Sequence, residues 1–173
     1  MKTMRNAAAF LGLAAALSLQ GAPAGQPGRV EVVFDHPDKF TDIKDAHLAT
    51  DKGEQAILGQ IRDFIVSRAS PMVPEGYKFT ITFSDIDLAG EYEPWRGPEW
   101  DTVRIIKPVY PPAFRFTFAV TDRAGKVVRQ GSEFFRDSGF QFRAALDQTD
   151  GLRYEKAALE DWLRSHLGDL RGP

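Results

Sequence analysis

The stretch that decides the fold is YKFTITFS, from Tyr77 to Ser84, where every second side chain is apolar. Alternation with a period of two predicts a β-strand with one buried face and one face in water. The stretch FRFTFAVT, from Phe114 to Thr121, repeats the same pattern. We therefore expect these two segments to be neighbouring strands of one half-exposed sheet.

Three weaker strand signals lie outward from this pair. We predict strands from Val30 to Phe34, from Thr102 to Lys107 and from Lys126 to Phe135. The last of these follows the tight turn Asp122-Arg123-Ala124-Gly125, in which glycine supplies the positive φ that such turns favour. It should form a hairpin with the strand that ends at Thr121.

Two amphipathic helices complete the set of predicted elements. The first should begin with a capping box at Asp51 and Glu54 and end before Pro71 and Pro74, with a stripe of Ile57, Leu58, Ile61, Phe64 and Ile65. The second should end near Gly168, and its apolar stripe is Tyr154, Ala158, Leu159, Trp162, Leu163 and Leu167.

The order of elements is therefore β-α-β-β-β-β-α. It predicts the α+β class: a two-layer sandwich in which a mostly antiparallel five-stranded sheet carries both helices on one face. The other face of the sheet should stay open to solvent, because its strands present threonine, lysine and arginine there.

The N-terminal segment predicts export. Lys2 and Arg5 precede an apolar run from Ala7 to Leu19, and Ala22-Pro23-Ala24 supplies small residues for cleavage. This pattern is typical of a secretory signal peptide, and the run is shorter than the ~20 residues that span a membrane. We expect residues 1–24 to be removed, which leaves residues 25–173 as a single periplasmic domain that does not insert into the membrane.

Composition narrows the classes of partner and chemistry. The chain has 22 basic and 24 acidic residues, and loss of the predicted signal peptide leaves 20 against 24. Such a mildly acidic domain has no electrostatic reason to bind nucleic acid. It contains no cysteine, so it offers no thiol nucleophile, no disulfide and no cysteine metal site.

The strand alternation breaks at Asp85. If the strand continued in phase, the carboxylates of Asp85 and Asp87 would enter the core, where unpaired charge is costly. A bulge or a strand end between Ser84 and Asp87 avoids that cost. We expect one of these carboxylates to accept a hydrogen bond from a backbone amide or from Arg96 or Arg104.

The loop EYEPWRGPEWD, which follows Gly90, is the second unusual feature. Trp95 and Trp100 flank Arg96 there, and Tyr110 lies shortly after, a combination suited to recognising a peptide, a glycan or a partner protein. The alternative is that both tryptophans fold back and cover one end of the sheet, as large aromatic side chains often do.

Several motifs of the chain resemble a family of exported Gram-negative bacterial proteins that is catalogued only as a domain of unknown function. These motifs are FTDI at Phe40 to Ile43, FSDIDLAGEYEPW at Phe83 to Trp95, the strand at Arg104, YPP at Tyr110 to Pro112 and YEKAALEDW at Tyr154 to Trp162. The resemblance implies an envelope location. It implies no reaction, substrate or cofactor.

Two functional hypotheses follow. The first is a non-catalytic binding or assembly module that contacts an envelope protein or polymer through the open sheet face and the Trp95–Trp100 loop. The alternative is a hydrolase or metal-dependent enzyme centred on Asp85, Asp87 and Glu91. The chain lacks recognisable nucleophile and metal-ligand motifs, and an EF-hand register that starts at Asp85 places Arg96 where glutamate is needed. We therefore prefer the first hypothesis and predict no cofactor.

Overall fold

Six strands and two α-helices make up the fold in the computed structural model, which describes residues 28–44, 50–143, 147 and 149–171. The strands are β1 (Val30–Phe34), β2 (Lys78–Asp87), β3 (Glu91–Tyr92), β4 (Arg104–Ile105), β5 (Ala113–Thr121) and β6 (Val127–Arg136). The helices are α1 (Asp51–Ala69) and α2 (Arg153–Leu167). The predicted signal peptide lies outside the described residues.

The main sheet has four strands in the order β1-β2-β5-β6. β2, β5 and β6 are mutually antiparallel, whereas β1 runs parallel to β2. A parallel neighbour needs a crossover connection, and α1 provides it between β1 and β2. Buried residues from both helices and from the inward sheet face share one core, so the predicted two-layer α+β arrangement is confirmed.

The number of strands in the main sheet differs from the prediction of five. The segment from Thr102 to Lys107 contributes only β4, which pairs with β3 in a separate two-stranded sheet. The reason is the loop between β3 and β4, in which Pro94 and Pro98 each begin a 3-10 turn. The loop reverses the chain, so β4 pairs with β3 and does not join the main sheet. This small sheet becomes the base of the loop that carries the tryptophans.

The alternating segments behave as predicted. Phe79, Ile81 and Phe83 of β2 are fully buried. On β5, Phe116 and Phe118 each contact the Trp162 ring of α2 with centroids 4.9 Å apart. The opposite sheet face, here called the open face, carries a shallow depression of about 520 Å³ whose lining includes Thr80, Thr82, Thr117, Gln130 and Ser132.

Most predicted element ends are also confirmed, with one correction. The α1 helix ends before Pro71, the β5–β6 hairpin turns at Gly125 with φ 79°, and Gly168 caps α2. The predicted capping box at Asp51 is wrong by one residue. Thr50 is the N-cap, because its extended backbone lets the hydroxyl accept a hydrogen bond from the Gly53 amide at 3.4 Å.

Within the described part of the chain, neither helix combines the length and the apolar composition that a membrane crossing requires.

Candidate functional site

The predicted interruption of β2 is present as a β-bulge. The pairing of β2 with β5 shifts register between Phe83 and Asp85, so Ser84 is the extra residue. Asp85 then accepts hydrogen bonds from the backbone amide of Thr41 at 2.7 Å and from the Thr41 hydroxyl at 3.0 Å. This confirms that a carboxylate at the bulge binds a backbone amide, and it ties β2 to the segment that follows β1.

The other two carboxylates of the enzymatic hypothesis lie in a different environment. Asp87 and Glu91 line a small cleft of about 130 Å³ together with Tyr110 and Arg136, but Asp85 does not line it. Burial raises the pKa of Asp87, and the negative charge of Asp42 raises it further. Among residues 28–44, 50–143, 147 and 149–171, no three acidic or histidine side chains are placed to hold a metal ion.

Arg104 does not pair with Asp85 or Asp87; of the donors predicted for these carboxylates, the structure shows the backbone amide at Asp85. Its guanidinium donates to Asp42 at 2.7 Å, to the Lys44 carbonyl at 2.9 Å and to the Gly90 carbonyl at 3.2 Å. It also lies 4.6 Å from the centre of the Tyr92 ring. Both members of the Arg104–Asp42 pair are largely buried, and the pair joins the small sheet to the segment after β1.

Glu93, which no sequence pattern indicated, organises the loop. Glu93 is only 1% exposed, and its carboxylate accepts hydrogen bonds from Lys107 at 2.5 Å, from the Tyr110 hydroxyl at 2.9 Å and from Arg96. The hydrogen bond from Lys107 is the main cause that lowers the pKa of Glu93. These four residues, here called the Glu93 cluster, hold the two ends of the loop together.

Trp95 projects from this anchored loop into solvent. It is 71% exposed, whereas Trp100 is partly buried and lies under the Arg96 guanidinium, 5.6 Å from the guanidinium carbon. The expectation that both tryptophans cover the end of the sheet is therefore wrong for Trp95. The Glu93 side chain points into the protein, and a 3-10 turn begins directly after it at Pro94. The Trp95 side chain, within that turn, lies on the outside.

A larger cleft, of about 390 Å³, lies between the small sheet and the start of α2. Its lining includes Tyr92, Arg104, Arg153 and Glu155. Glu155 is 1% exposed, and one of its oxygens accepts from the Ala89 amide at 2.7 Å while the other has no hydrogen-bond partner among the described residues. Burial raises the pKa of this carboxyl.

Glu155 was also missed, although the sequence holds a signal for it. It precedes Ala158 and Leu159 at helical spacing, so it falls on the buried stripe of α2. The predicted stripe of α2 contains only apolar residues and therefore omits Glu155. The hydrogen bond to Ala89 makes Glu155 the contact through which α2 holds the turn after β2.

The chain matches a known family model over most of its length. A model described as "Protein of unknown function (DUF3016)" matches residues 28–165. The chain belongs to this family. The predicted resemblance to a domain of unknown function is thus confirmed for DUF3016, while the Gram-negative origin and the envelope location stay predictions. Neither the curated proteins nor the solved structures include a match to this DUF3016 chain.

The two aspartates of this DUF3016 chain should respond differently to substitution. We expect Asp85→Ala to lower the free energy of unfolding by about 1–2 kcal/mol, because two hydrogen bonds to a charged acceptor are lost. Asp87→Asn should leave it unchanged or raise it at neutral pH. A carboxyl whose folded pKa is raised stabilises the fold below its ordinary pKa and loses that contribution as the pH rises. Urea unfolding of both variants at pH 7 checks this contrast.

The wild-type protein and the Asp87→Asn variant also test whether Asp85, Asp87 and Glu91 bind a metal ion. We expect calcium, magnesium, manganese and zinc to leave the thermal midpoint of the protein unchanged. A bound ion at a hundredfold excess over Kd would add about 2.7 kcal/mol, or several degrees for a domain of this size. A saturable rise that a chelator reverses and that Asp87→Asn abolishes would support the metal-dependent alternative instead.

Proposed function

We propose that this protein is an exported, non-catalytic binding module whose docking surface is centred on Trp95. The observation that carries the proposal is the contrast between two neighbours: Trp95 is 71% exposed, and Glu93, two residues earlier, is almost completely buried and accepts three hydrogen bonds. A large aromatic side chain that is held in water by an anchored backbone has a conformation ready for binding.

The surroundings of Trp95 have the composition of a binding hot spot. Tryptophan, tyrosine and arginine are the residues that most often dominate the energy of protein interfaces. Here Arg96 is fixed between the Glu93 carboxylate and the Trp100 ring, and Tyr110 belongs to the same cluster. Because these side chains are already ordered, little conformational entropy is lost when a partner binds.

The partner that fits this surface best is a protein of the cell envelope. Exposed tryptophan and arginine side chains in one loop are the residue types that most often dominate the binding energy of protein–protein interfaces. The small cleft between Tyr110 and Arg136 connects the loop to the end of β6.

Export is the part of the proposal that depends on residues 1–24. Their basic start, short apolar run and Ala22-Pro23-Ala24 site support secretion. The envelope is then the compartment in which the partner is sought.

The enzymatic alternative has weaker support. Of its three carboxylates, Asp85 is engaged by Thr41, and the Oε1 atom of Glu91 accepts from the Tyr92 amide at 2.8 Å. Asp87 has a raised pKa and lines a cleft, and these two features favour a catalytic role for it.

Trp95→Ala should weaken partner binding strongly, and Phe142→Ala should not. Phe142 is a suitable control because it is an aromatic residue that is 92% exposed but lies outside the loop. Loss of a hot-spot tryptophan costs about 2 kcal/mol or more, which corresponds to about a thirtyfold rise in Kd. Affinity capture from an envelope extract, followed by mass spectrometry, should recover one protein with the wild type and with Phe142→Ala only.

The same mass spectra check export, because the recovered chain should begin at or near Gly25. Equal recovery of the same partner with the Trp95 and Phe142 variants would contradict the proposed docking surface. Recovery of an intact Met1 from the envelope pool would contradict the proposed export.

A further inference from the structure

Among the strands that the structure describes, β6 lies at one edge of the main sheet. It runs for ten residues, and β5 is its only strand neighbour in the described sheet. Its side chains Val127, Val128 and Phe134 are exposed, and Phe134 reaches 53%. A long edge strand with exposed apolar residues is a template for pairing with another strand.

The sequence of β6 is self-complementary in the antiparallel direction. When VVRQGSEFFR is paired with a second copy about Gly131, Arg129 lies opposite Glu133 and Gln130 lies opposite Ser132. At the ends of the strand the like charges of Arg136 and Lys126 lie opposite each other, so the complementarity is confined to the centre of β6.

The two sheet faces remain consistent in this register. The pairs Arg115–Phe134, Thr117–Ser132 and Ala119–Gln130 between β5 and β6 place the even-numbered β6 residues on the open face. The Arg129–Glu133 and Gln130–Ser132 pairs lie in the regular part of β6 and each joins residues of the same parity, so these partners lie on the same face. The register shift between Val120 and Thr121 leaves Val128 as a bulge at one end and keeps Arg129 to Arg136 regular.

The charged pair is placed for such a contact. Arg129 donates to both oxygens of Asp169, at 2.8 and 2.9 Å, which orients its guanidinium while leaving it partly exposed. Glu133 lies 3.9 Å from His166 and is also partly exposed. Gly131 has a separate explanation within one chain, because a Cβ there would lie 2.6 Å from the Phe118 ring.

We propose that two copies of this chain associate through β6, which pairs antiparallel with itself about a two-fold axis at Gly131. The four-stranded sheets then join into one continuous sheet. Its open face is doubled in area, and the two docking surfaces lie on one particle. The association is independent of Trp95, so loss of partner binding in Trp95→Ala does not bear on it.

Mass measurement of the purified protein by light scattering or sedimentation should give twice the chain mass. Two variants then test the charge pairing. The first, Arg129→Glu with Asp169→Arg, keeps the intrachain pair with reversed sign, and the second is Glu133→Arg. Each variant alone places like charges opposite each other twice per interface, which should weaken association at least about tenfold. An equimolar mixture should restore the dimer.

Val33→Lys is the matched control, because Val33 is an exposed valine on the opposite edge strand of the same sheet. This variant should stay dimeric. The cysteine-free chain also allows a test of register: a mixture of Gln130→Cys and Ser132→Cys proteins should form a disulfide between the unlike chains under mild oxidation.

A monomeric wild type at concentrations up to about 1 mM would overturn the proposal. Charge variants that remain dimeric by themselves would also overturn it, since a different surface would then be responsible. Disulfides that form only between like positions would exclude the register about Gly131.

Discussion

Arg104→Ala should lower the free energy of unfolding by about 3–5 kcal/mol, as is typical when one member of a buried ion pair is removed. The substitution leaves the Asp42 carboxylate buried without its cation. It also removes the donors to the Gly90 and Lys44 carbonyls. Urea unfolding followed by circular dichroism measures the loss.

Arg164→Ala is the control for this prediction. Arg164 is an exposed residue that pairs with Glu160 one helical turn away, and Glu160 keeps Arg68 at 3.9 Å when Arg164 is removed, so the loss should be about 0.5 kcal/mol or less. Adding Asp42→Asn to Arg104→Ala should recover part of the stability, because the uncompensated charge is gone. A cost below about 1 kcal/mol for Arg104→Ala would show that the pair does not hold the small sheet in place.

Glu155→Gln should change how stability depends on pH. Burial raises the pKa of Glu155 above its ordinary value of 4.5, so the folded state holds this proton more tightly than the unfolded state does. The resulting stabilisation is complete below pH 4.5 and is lost as the pH rises through the folded pKa. Within that window one proton changes the free energy of unfolding by about 1.4 kcal/mol per pH unit.

The glutamine variant keeps an acceptor for the Ala89 amide but carries no titrating proton. The difference in stability between Glu155→Gln and the wild type should therefore move in favour of the variant as the pH rises from 4 to 8. Glu75→Gln, at an exposed turn position, is the matched control for the same change of side chain. A pH-independent difference for Glu155→Gln would mean that Glu155 does not titrate across this range.

The sequence patterns predicted those features that depend on neighbouring residues. Period-two alternation located β2 and β5, and its break at Asp85 located the bulge, because burying two carboxylates costs more than one irregular residue. Helical spacing located α1 and α2. Each of these features is set by residues that lie within a few positions of one another in the chain.

The interactions that were missed join residues far apart in the chain. Arg104 pairs with Asp42, 62 positions earlier, and Glu155 binds the Ala89 amide, 66 positions earlier. Local patterns carry no information about which carboxylate will meet which cation across a fold. The burial of Glu93 could not be predicted for the same reason. Its donors Lys107 and Tyr110 lie 14 and 17 positions later in the chain and reach Glu93 only in the folded loop.

The central claim, that Trp95 is presented for a partner protein, is tested most directly in producing cells by an aromatic photoreactive amino acid at position 95. Such a residue keeps a large aromatic ring at the position that the partner contacts. The matched position is Phe142, which is even more exposed than Trp95. The account predicts one discrete covalent adduct with a single envelope protein from position 95 and none from position 142. No adduct from position 95, or the same adducts from both positions, would contradict it.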